Sequence, residues 1–400
     1  MTAEELHRLL DPKVQELIHR HAGDDPAAFA MKSHDRKDLP VRAIAEQIAC
    51  RRKALKKLPG LSRRSLLYTA LSLEQASGER AAVYKSGLEG MAGKKMMDMS
   101  GGLGIDTIFF SRRFDEVVYV ERDEVLAKVA AYNFRKLGIG NVSVIQGDSI
   151  AVLESCPDDS FDMIYVDPSR REKGRRSAAL EAGCPNVVSL QDMLLRKARR
   201  FCVKASPAME AGNLRDKLTP LSMILVLSVD RECKEVLLFC NRKATQARVV
   251  IKAACLDGKE ETVVESGAEN ITRRVAGAVG PFMYEPDPAI IKARLTGVLA
   301  DRHRLQFINP AVDYLTSERV VEHFPGRSFK VIAPLLYKPG ILKSFLKEQG
   351  IDAASILRRD FPLSPEEIRR LFRLKESDVI YLFFTRNAAG QLLCICGRRF

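Results

Sequence analysis

The chain has 400 residues, 46% of them hydrophobic, and a formal net charge of +13 at pH 7, and this length predicts two or three domains with substantial cores. No apolar run reaches the roughly eighteen residues of a membrane-spanning helix, and the amino terminus lacks the basic-then-apolar layout of a secretory signal peptide. The nine cysteines are odd in number and scattered, which predicts reduced thiols in a cytoplasmic protein rather than a disulfide framework.

Helices dominate the predicted structure of the first ninety residues. Residues 1–10 have the pattern of an amphipathic helix with acidic residues in its first turn. Apolar residues recur at helical spacing over residues 39–58, and Pro59 and Gly60 would end this helix. Its basic cluster, residues 51–57, lies towards the carboxyl end, where cations stabilise the helix dipole. That local role and a nucleic-acid contact explain the cluster equally well.

A glycine-rich loop follows the first predicted strand. Residues 98–106 read D-M-S-G-G-L-G-I-D and come after the apolar pair Met96 and Met97. Three glycines in four positions let the backbone turn sharply and approach a ligand closely. Residues 105–114 have helical spacing, so the loop would lie at the amino end of a helix, where N–H groups and the dipole favour an anionic or electron-rich ligand. Dinucleotides, phosphates and S-adenosylmethionine all bind such loops.

Three further predicted strands also end in polar residues. Residues 116–120 form a β-branched strand that ends at Glu121, and a carboxylate at the tip of the second strand can accept both hydroxyls of a ribose. Asp148 comes soon after the strand at 142–146, and Asp167 follows the strand at 161–166. Ligands of doubly wound sheets bind at the carboxyl ends of the strands, so these groups predict one binding site.

The order and spacing of the four strand ends resemble the class I S-adenosylmethionine-dependent methyltransferases over residues 95–241. The resemblance implies that Asp98 and the glycine loop flank the methionine part of the cofactor and that Glu121 binds the ribose. Arg122 and Asp148 would lie near the adenine. The implied cofactor-binding residues are Asp98, Ser100, Gly101, Gly102, Gly104, Asp106, Glu121, Arg122, Asp148, Ser149 and Asp167.

Other interpretations of the loop and the strand ends are weaker. No lysine-serine pair follows the glycines, as a nucleotide triphosphatase would require, and the G-G-x-G spacing fits a dinucleotide fingerprint poorly. Taken singly, Glu121 is also explained as a solvated strand end, and Asp148 or Asp167 as a helix cap. The four ends together favour the methyltransferase interpretation.

The segment after the fourth predicted strand holds the position of the catalytic motif in these enzymes. Family members that methylate a base nitrogen commonly carry Asp or Asn, then Pro-Pro and an aromatic residue, whose ring stacks on the flipped base. This chain keeps Asp167 and Pro168 but then has Ser169 and Arg170. We assign these four residues as catalytic candidates, with Arg170 able to stack on a base or pair with a phosphate.

A basic loop continues from this motif. The candidate substrate-binding residues are Arg170, Arg171, Lys173, Arg175 and Arg176. Their charge suits an anionic substrate beside the methyl donor, and a solvated run of charges is the alternative. No Pro-Cys pair follows the fourth strand, which disfavours a catalytic cysteine of the carbon-5 type. Direct in-line transfer depends on positioning and electrostatics, so we expect no metal.

The rest of the predicted sheet follows the family pattern. The predicted elements are a helix over 187–201 and strands over 203–208, 223–229, 235–241, 247–255 and 261–265. The second and third of these strands form a hairpin, which class I methyltransferases characteristically have at one sheet edge. In related enzymes the segment before the first strand closes over the cofactor, so Gln75, Ser77 and Tyr84 are candidates to line that pocket.

The pattern changes at residue 280. A proline-punctuated, linker-like segment with one predicted helix over 289–299 precedes a compact unit over 327–400. The predicted elements of this unit, in the order βαβαββ, are residues 329–333, 342–349, 354–359, 364–372, 379–385 and 391–396. The unit resembles the THUMP-like domain at the carboxyl terminus of some bacterial methyltransferases, a derived relative of tRNA-binding THUMP domains. Its basic residues point to RNA handling: Lys343, Lys347, Arg358, Arg359, Arg369, Arg370 and Arg373.

The positive charge lies mainly outside the predicted catalytic domain. Residues 1–95 and residues 281–400 each carry a net charge of +6, whereas residues 96–280 carry +1. Phosphate contacts supply most non-specific affinity for nucleic acids, so basic flanks predict a polyanionic substrate. Solubility alone is the other explanation of this charge.

We therefore expect an α/β protein with a Rossmann-like class I methyltransferase sheet, an antiparallel terminal hairpin and flanking domains. The predicted boundaries are a helical domain over 1–90, the catalytic domain over 91–279, a linker or small α+β segment over 280–326, and the THUMP-like domain over 327–400. The predicted activity is methylation of a base nitrogen in tRNA or rRNA, with S-adenosylhomocysteine as product. We expect RNA as partner and neither a membrane nor an obligate protein partner. The alternatives are a protein or small-molecule methyltransferase and a non-catalytic RNA-binding protein.

Overall fold

The computed structural model describes residues 1–169, 171–172, 175–176, 180–209, 214, 217–244, 249–266 and 272–400. The chain divides into two units, each with its own internal packing. The first unit comprises Met1–Ile224 and Glu235–Val249, and the second comprises Leu225–Lys234 and Val250–Phe400.

The first unit begins with six helices. They are α1 (Ala3–Leu9), α2 (Pro12–Arg20), α3 (Pro26–Lys32), α4 (Val41–Lys57), α5 (Ala70–Gln75) and α6 (Glu79–Gly87), with a 3-10 turn at Leu61–Arg64. Side chains of Thr2, Asp11, Asp25 and Thr69 cap four of these helices, which satisfies backbone N–H groups that a helix start leaves free. The apolar stripes of α1 to α4 pack together in one core. The predicted helices over 1–10 and 39–58 are thus confirmed.

A Rossmann-like sheet follows, most of it in the first unit; Leu225–Lys234 of its last two strands belong to the second unit. Its elements are β1 (Gly93–Asp98), α7 (Ile105–Phe110), β2 (Phe114–Glu121), α8 (Glu124–Lys136), β3 (Val142–Gln146), α9 (Ser149–Ser155), β4 (Phe161–Val166), β5 (Arg171–Glu172), β6 (Arg175–Arg176), a 3-10 turn at Leu180–Ala182, α10 (Val187–Lys197), β7 (Ala198–Ala205), β8 (Leu221–Val229) and β9 (Glu232–Asn241). The strand order is β8-β9-β7-β4-β1-β2-β3, and β5 pairs only with β6. Strands β1 to β4 and β7 are parallel, whereas β9 is antiparallel to β7. The predicted sheet with an antiparallel terminal hairpin is confirmed.

Two predicted element boundaries in this sheet are wrong. The predicted helix over 187–201 ends at Lys197, and the fifth strand of the sheet, β7, begins at Ala198 rather than at residue 203. The reason is tertiary: Ala198 pairs with Phe161 and Val203 pairs with Val166, so the backbone of this segment completes the ladder beside β4.

Two amide side chains join the amino-terminal helices to the sheet of the same unit. Asn133 of α8 is buried; its carbonyl oxygen accepts from the Leu67 N–H and its amide donates to the Leu67 carbonyl, both at 2.9 Å. Gln47 of α4 makes the corresponding pair of bonds to the backbone of Tyr68. Because buried backbone groups must find partners, these side chains fix the extended segment that leads into α5 and α6.

The second unit contains a seven-stranded sheet. The unit also contains β10 (Val250–Asp257) and β11 (Glu260–Glu265), which pair with each other outside this sheet. The remaining elements are β12 (Phe282–Pro286), α11 (Pro288–Lys292), α12 (Thr296–His303), β13 (Gln306–Phe307), β14 (Leu315–Ser317), β15 (Gly326–Leu336), α13 (Pro339–Glu348), β16 (Ser355–Arg358), α14 (Pro365–Phe372), β17 (Ile380–Arg386) and β18 (Leu392–Arg399). The order is β13-β14-β12-β15-β18-β17-β16. The segment over 280–326 thus adds three strands beside β15, and its predicted helix over 289–299 is two helices, α11 and α12.

The predicted βαβαββ order of the last unit is confirmed by β15, α13, β16, α14, β17 and β18. Ser364 begins α14 with a capping box, in which Ser364 and Glu367 satisfy each other's backbone N–H groups. Apolar residues of α13 and α14 cover one face of the sheet together with Cys394 and Cys396. Leu393 and Ile395 alternate to the other face.

Two kinds of feature are missing from the described residues. None of the described helices is long and apolar enough to cross a membrane. In the same part of the chain, no group of His, Cys, Asp and Glu side chains is arranged to hold a metal ion.

Candidate active site

The glycine loop between β1 and α7 is fixed against β2. The Gly101 N–H donates to the Val120 carbonyl at 3.0 Å, and the Tyr119 hydroxyl donates to the Gly102 carbonyl at 2.6 Å. A Cβ on Gly101 would lie 2.3 Å from the Tyr119 ring, and Gly104 has a φ of +76°. Both positions therefore require glycine for physical reasons, as the sequence predicts.

Glu121, at the end of β2, is oriented by the loop. Its Oε2 accepts from the Gly102 N–H and its Oε1 accepts from the Asp123 N–H, both at 2.8 Å. The carboxylate is half-buried, and each oxygen has a second lone pair. It can therefore accept further hydrogen bonds from ligand hydroxyls.

Asp98, at the end of β1, is buried under the loop. It is 2% exposed and accepts hydrogen bonds from the Ser100 N–H at 3.0 Å and from the Thr107 hydroxyl. Burial raises the pKa of Asp98 to about 6, although these hydrogen bonds oppose the increase. A cationic ligand group beside Asp98 would favour its ionised form.

A cluster of charged and polar side chains is buried in the same unit. This charge cluster consists of Ser77, Lys85, Asp106, Tyr165, Lys204 and Glu235, none of them more than 9% exposed. Lys85 Nζ lies 2.8 Å from Asp106 Oδ1 and 2.7 Å from Glu235 Oε2. Ser77 Oγ accepts from Lys85 at 2.8 Å and from Lys204 at 3.1 Å. Its single hydrogen can go to Asp106 at 2.8 Å or to Glu235 at 3.0 Å.

The charge cluster forms because several segments meet at one sheet edge. Tyr165 and Lys204 lie near the carboxyl ends of the parallel strands β4 and β7, and Asp106 lies in the first turn of α7. Glu235 lies near the start of β9, which is antiparallel to β7, so it reaches the same edge. Ser77 is in the loop between α5 and α6, and Lys85 is in α6.

The electrostatics of the charge cluster favour ionised carboxylates. Burial alone raises the pKa of Asp106, but Lys85 and Lys204 outweigh burial and hold that pKa below its usual value. Burial and the neighbouring carboxylates raise the pKa of Tyr165 well above its usual range. Tyr165 is therefore neutral, and its hydroxyl donates to Asp106 Oδ2 at 3.0 Å.

Asp167 connects the glycine loop to the charge cluster. Its N–H donates to Ser100 Oγ at 2.6 Å, and its Oδ2 lies 2.6 Å from Lys204 Nζ. Ser169 forms two backbone hydrogen bonds with Cys184. The arrangement places the first and third catalytic candidates directly after β4, with Asp167 half-buried.

The structure describes the basic loop only in part. Arg170 and Lys173 lie outside the described residues. The backbone of Arg171 pairs with that of Arg176 in the short ladder of β5 and β6, which also includes Arg175. The predicted role of these five residues in binding substrate stays a prediction.

The remaining predicted site residues lie at the surface or cap a helix. Asp148 accepts hydrogen bonds from the N–H groups of Ile150 and Ala151 and so caps α9. This contact agrees with the interpretation of Asp148 as a helix cap. Arg122 is exposed. Of the three candidates before β1, Ser77 is buried in the charge cluster, whereas Gln75 is exposed and Tyr84 is half-buried.

Two family models match parts of this chain, and known proteins resemble it over most of its length. Residues 80–182 match the family "Conserved hypothetical protein 95", and residues 326–399 match "THUMP domain-like". An uncharacterized S-adenosylmethionine-dependent methyltransferase of Mycobacterium tuberculosis is 26% identical over 353 residues, which cover 87% of this chain and 94% of that protein. A crystal structure described as a "putative methyltransferase" from Porphyromonas gingivalis W83 is 27% identical, with a TM-score of 0.84 and 97% of both chains covered. By this similarity the chain is an S-adenosylmethionine-dependent methyltransferase, and its residues 326–399 match a THUMP-like domain.

The charges at the sheet edge of this methyltransferase suit its cofactor. Among the described residues, five carboxylates lie at the glycine loop and in the charge cluster, those of Asp98, Asp106, Glu121, Asp167 and Glu235, against the ammonium groups of Lys85 and Lys204. S-adenosylmethionine carries a sulfonium and an ammonium charge against one carboxylate, so its net charge is positive. An excess of carboxylates attracts such a ligand, most strongly where burial lowers the effective dielectric constant.

Sequence reasoning missed four members of the charge cluster of this methyltransferase, namely Lys85, Tyr165, Lys204 and Glu235. Lys204 and Glu235 carried a usable signal, because each is a charged residue within or beside an otherwise apolar strand. Charged side chains at such positions are rarely buried without a partner. Lys85 and Tyr165 fit ordinary helix and strand patterns, so their sequence context did not indicate a place in a buried charge cluster.

Proposed function

We propose that this methyltransferase transfers a methyl group from S-adenosylmethionine directly to a base nitrogen of tRNA or rRNA. The observation that carries the proposal is the position of Asp167, whose N–H donates to Ser100 of the glycine loop at 2.6 Å and whose Oδ2 is paired with Lys204. A carboxylate held beside the cofactor loop can accept a hydrogen bond from the acceptor amine, and this interaction orients the lone pair of the nitrogen.

The proposed roles extend to the rest of the site. When bound, the cofactor supplies an electrophilic methyl group on its sulfonium centre. The residues that would hold it are Asp98, Ser100, Gly101, Gly102, Gly104, Asp106, Glu121, Arg122, Asp148, Ser149 and Asp167. The residues that would bind RNA phosphates or stack on the base are Arg170, Arg171, Lys173, Arg175 and Arg176. Positioning and electrostatics are sufficient for a direct in-line transfer.

RNA is the acceptor that the rest of the chain favours. The net charge of +6 on each flank suits a polyanion, and the THUMP-like match covers residues 326–399. On α13 and α14 the described basic residues Lys343, Lys347, Arg370 and Arg373 are exposed. All nine cysteines are free thiols, which supports a reducing, cytoplasmic setting.

The test is incorporation of radiolabelled methyl groups into total bacterial RNA from a strain that lacks the gene. We expect label in tRNA or rRNA with the wild type, strongly reduced label with Asp167→Ala, and partly retained label with Asp167→Asn, whose amide oxygen still accepts a hydrogen bond. The matched control is Asp158→Ala, which removes a carboxylate that is paired with Lys197 in the loop before β4, away from the carboxyl ends of the strands. Thermal unfolding of each variant shows whether lost activity reflects lost folding.

Each alternative gives a different result in the same experiment. Wild-type protein that binds S-adenosylmethionine by calorimetry but leaves RNA unlabelled would point to a protein or small-molecule acceptor. Failure to bind the cofactor would indicate a non-catalytic protein that keeps the fold. Equal label with the wild type and both Asp167 variants would remove Asp167 from the catalytic set.

A further inference from the structure

Lys204 is a buried cation that the catalytic motif does not account for. It lies in the buried half of strand β7, is 7% exposed, and carries a charge that burial alone would make costly. Its Nζ lies 2.6 Å from Asp167 Oδ2, 3.1 Å from Ser77 Oγ and 4.0 Å from Glu235 Oε1. Burial lowers the pKa of Lys204, but the carboxylates of Asp167, Glu235 and Asp106 outweigh burial and raise it above its usual value. Lys204 is therefore a fixed cation and not a proton acceptor.

We infer that Lys204 is a positioning residue for Asp167: its ammonium group fixes Oδ2, which leaves Oδ1 to accept a hydrogen bond from the acceptor amine. This inference rests on the proposed role of Asp167 in methyl transfer. A carboxylate has two equivalent oxygens and turns freely about its side-chain bonds unless a partner holds one of them. A point charge at 2.6 Å holds Asp167 in one orientation.

The orientation of Lys204 depends in turn on the segment before β1. Ser77 accepts hydrogen bonds from both Lys204 and Lys85, and Lys85 is held between Asp106 and Glu235. These contacts leave the ammonium group of Lys204 little freedom, because Ser77 and Glu235 are buried and the half-buried Asp167 is bonded through its N–H to Ser100. The segment that carries Ser77 and Lys85 is thus connected to Asp167 through Lys204.

The sequence of the catalytic motif after β4 explains why Asp167 needs an additional restraint. The segment after β4 keeps Asp167 and Pro168 but lacks the second proline and the aromatic residue, which would otherwise stiffen it and stack on the base. Asp167 is therefore held by a long-range ion pair in addition to its own backbone. A displacement of about 1 Å at a reacting group can cost roughly 100-fold in rate, so such a restraint matters.

The experiment compares Lys204→Met, Lys204→Arg and the control Lys197→Met under saturating cofactor and RNA. We expect kcat to fall roughly 100-fold in Lys204→Met, with much smaller changes in the KM for RNA and in the calorimetric Kd for S-adenosylmethionine. Lys204→Arg keeps the charge in a larger group and should recover part of kcat. Lys197 is also a buried lysine, but it lies in α10, where it pairs with Asp158 and donates to the Cys156 carbonyl. Its loss should lower Tm but leave kcat unchanged.

A structural role alone gives a different pattern. If Lys204 only stabilises the fold, Lys204→Met and Lys197→Met will lose Tm alike and both will keep kcat, which overturns the inference. Crystal structures of Lys204→Met and of the wild type provide a readout that needs no activity. An Asp167 carboxylate in the same orientation in both structures also overturns it. Wild type that labels no RNA would instead refute the proposed acceptor, and the crystal comparison would still decide the role of Lys204.

Discussion

At the scale of single residues, the buried carboxylate of Asp98 lowers the stability of the native state. Its carboxylate is 2% exposed, and burial raises its pKa from 3.8 to about 6. The native state therefore keeps the proton to a higher pH than the unfolded chain does. The free energy of unfolding falls as pH rises from about 4 to about 6, and the whole cost is present above that range. A shift of this size corresponds to about 3 kcal/mol.

Replacing Asp98 by Asn should remove this cost. The asparagine can still accept from the Ser100 N–H and can donate to the Thr107 hydroxyl. We expect Asp98→Asn to unfold at higher urea concentration than the wild type at pH 7.5, and the gain to disappear near pH 4. Its Kd for S-adenosylmethionine should rise, because the carboxylate that faces a cationic ligand is gone. In the wild type, cofactor binding should tighten as pH increases through about 6.

The control for this prediction is Asp115→Asn, an exposed carboxylate in β2 that should change neither quantity. Urea titrations at several pH values and calorimetry with S-adenosylmethionine check both expectations. An Asp98→Asn protein that is less stable than the wild type at pH 7.5 would mean that the buried charge is already compensated.

At the scale of elements, the sequence predicted those features that depend on local residue order. The glycine loop, the strand ends at Glu121 and Asp167, and the βαβαββ order of the last unit follow from turn chemistry and periodicity. The prediction of a helix over 187–201 was wrong at its carboxyl end, because the basic residues there resemble the last turn of a helix. Its last residues pair instead with β4, a long-range contact that no local pattern contains.

The contacts that join the members of the charge cluster could not be predicted, for the same reason. Its members come from six separate segments, and Ser77 and Glu235 are 158 positions apart. Only the antiparallel direction of β9 brings Glu235 to the edge where β4 and β7 end. Ser77 was named as a pocket residue from the family resemblance, but nothing in the sequence paired it with two lysines.

The attachment of the amino-terminal helices to the sheet is testable through Asn133. Asn133→Ala leaves both the N–H and the carbonyl of Leu67 without their partner, and unsatisfied buried polar groups cost about 1–3 kcal/mol each. We expect a lower free energy of unfolding and faster tryptic cleavage at the exposed Arg63 and Arg64. Methyl transfer should weaken as well, because Ser77 and Lys85 follow this segment.

Asn141→Ala is the matched control for that change. The Asn141 amide also donates to two backbone carbonyls, those of Ser111 and Phe114, but the segment it holds is not the one that leads to α5 and α6. Urea denaturation and timed proteolysis followed by mass spectrometry separate the two variants. Equal cleavage at Arg63 and Arg64 in both would show that the loss of stability is global.

At the scale of the whole molecule, the two units divide the proposed work. The first holds the glycine loop, Asp167 and the charge cluster, whose charges largely balance one another. The second ends in the THUMP-like domain, where some arginines are committed to partners: Arg359 pairs with Glu285 and Arg369 pairs with Glu376. Lys343 and Lys347, one turn apart on α13, are exposed and so are free to contact phosphates if RNA binds this surface.

Reversing these two charges tests whether the THUMP-like domain binds RNA. Each lost phosphate contact removes about 0.7–0.9 from the slope of log Kd against log salt concentration, so Lys343→Glu combined with Lys347→Glu should reduce that slope by about 1.5. We expect weaker binding of every RNA tested and an unchanged Kd for S-adenosylmethionine. The control combines Arg135→Glu and Lys136→Glu, two exposed cations at the end of α8, which alter the net charge equally. Filter binding at several salt concentrations checks the prediction. An equal loss in both proteins would reveal only a general charge effect, and no loss in the first would exclude this helix from the RNA interface.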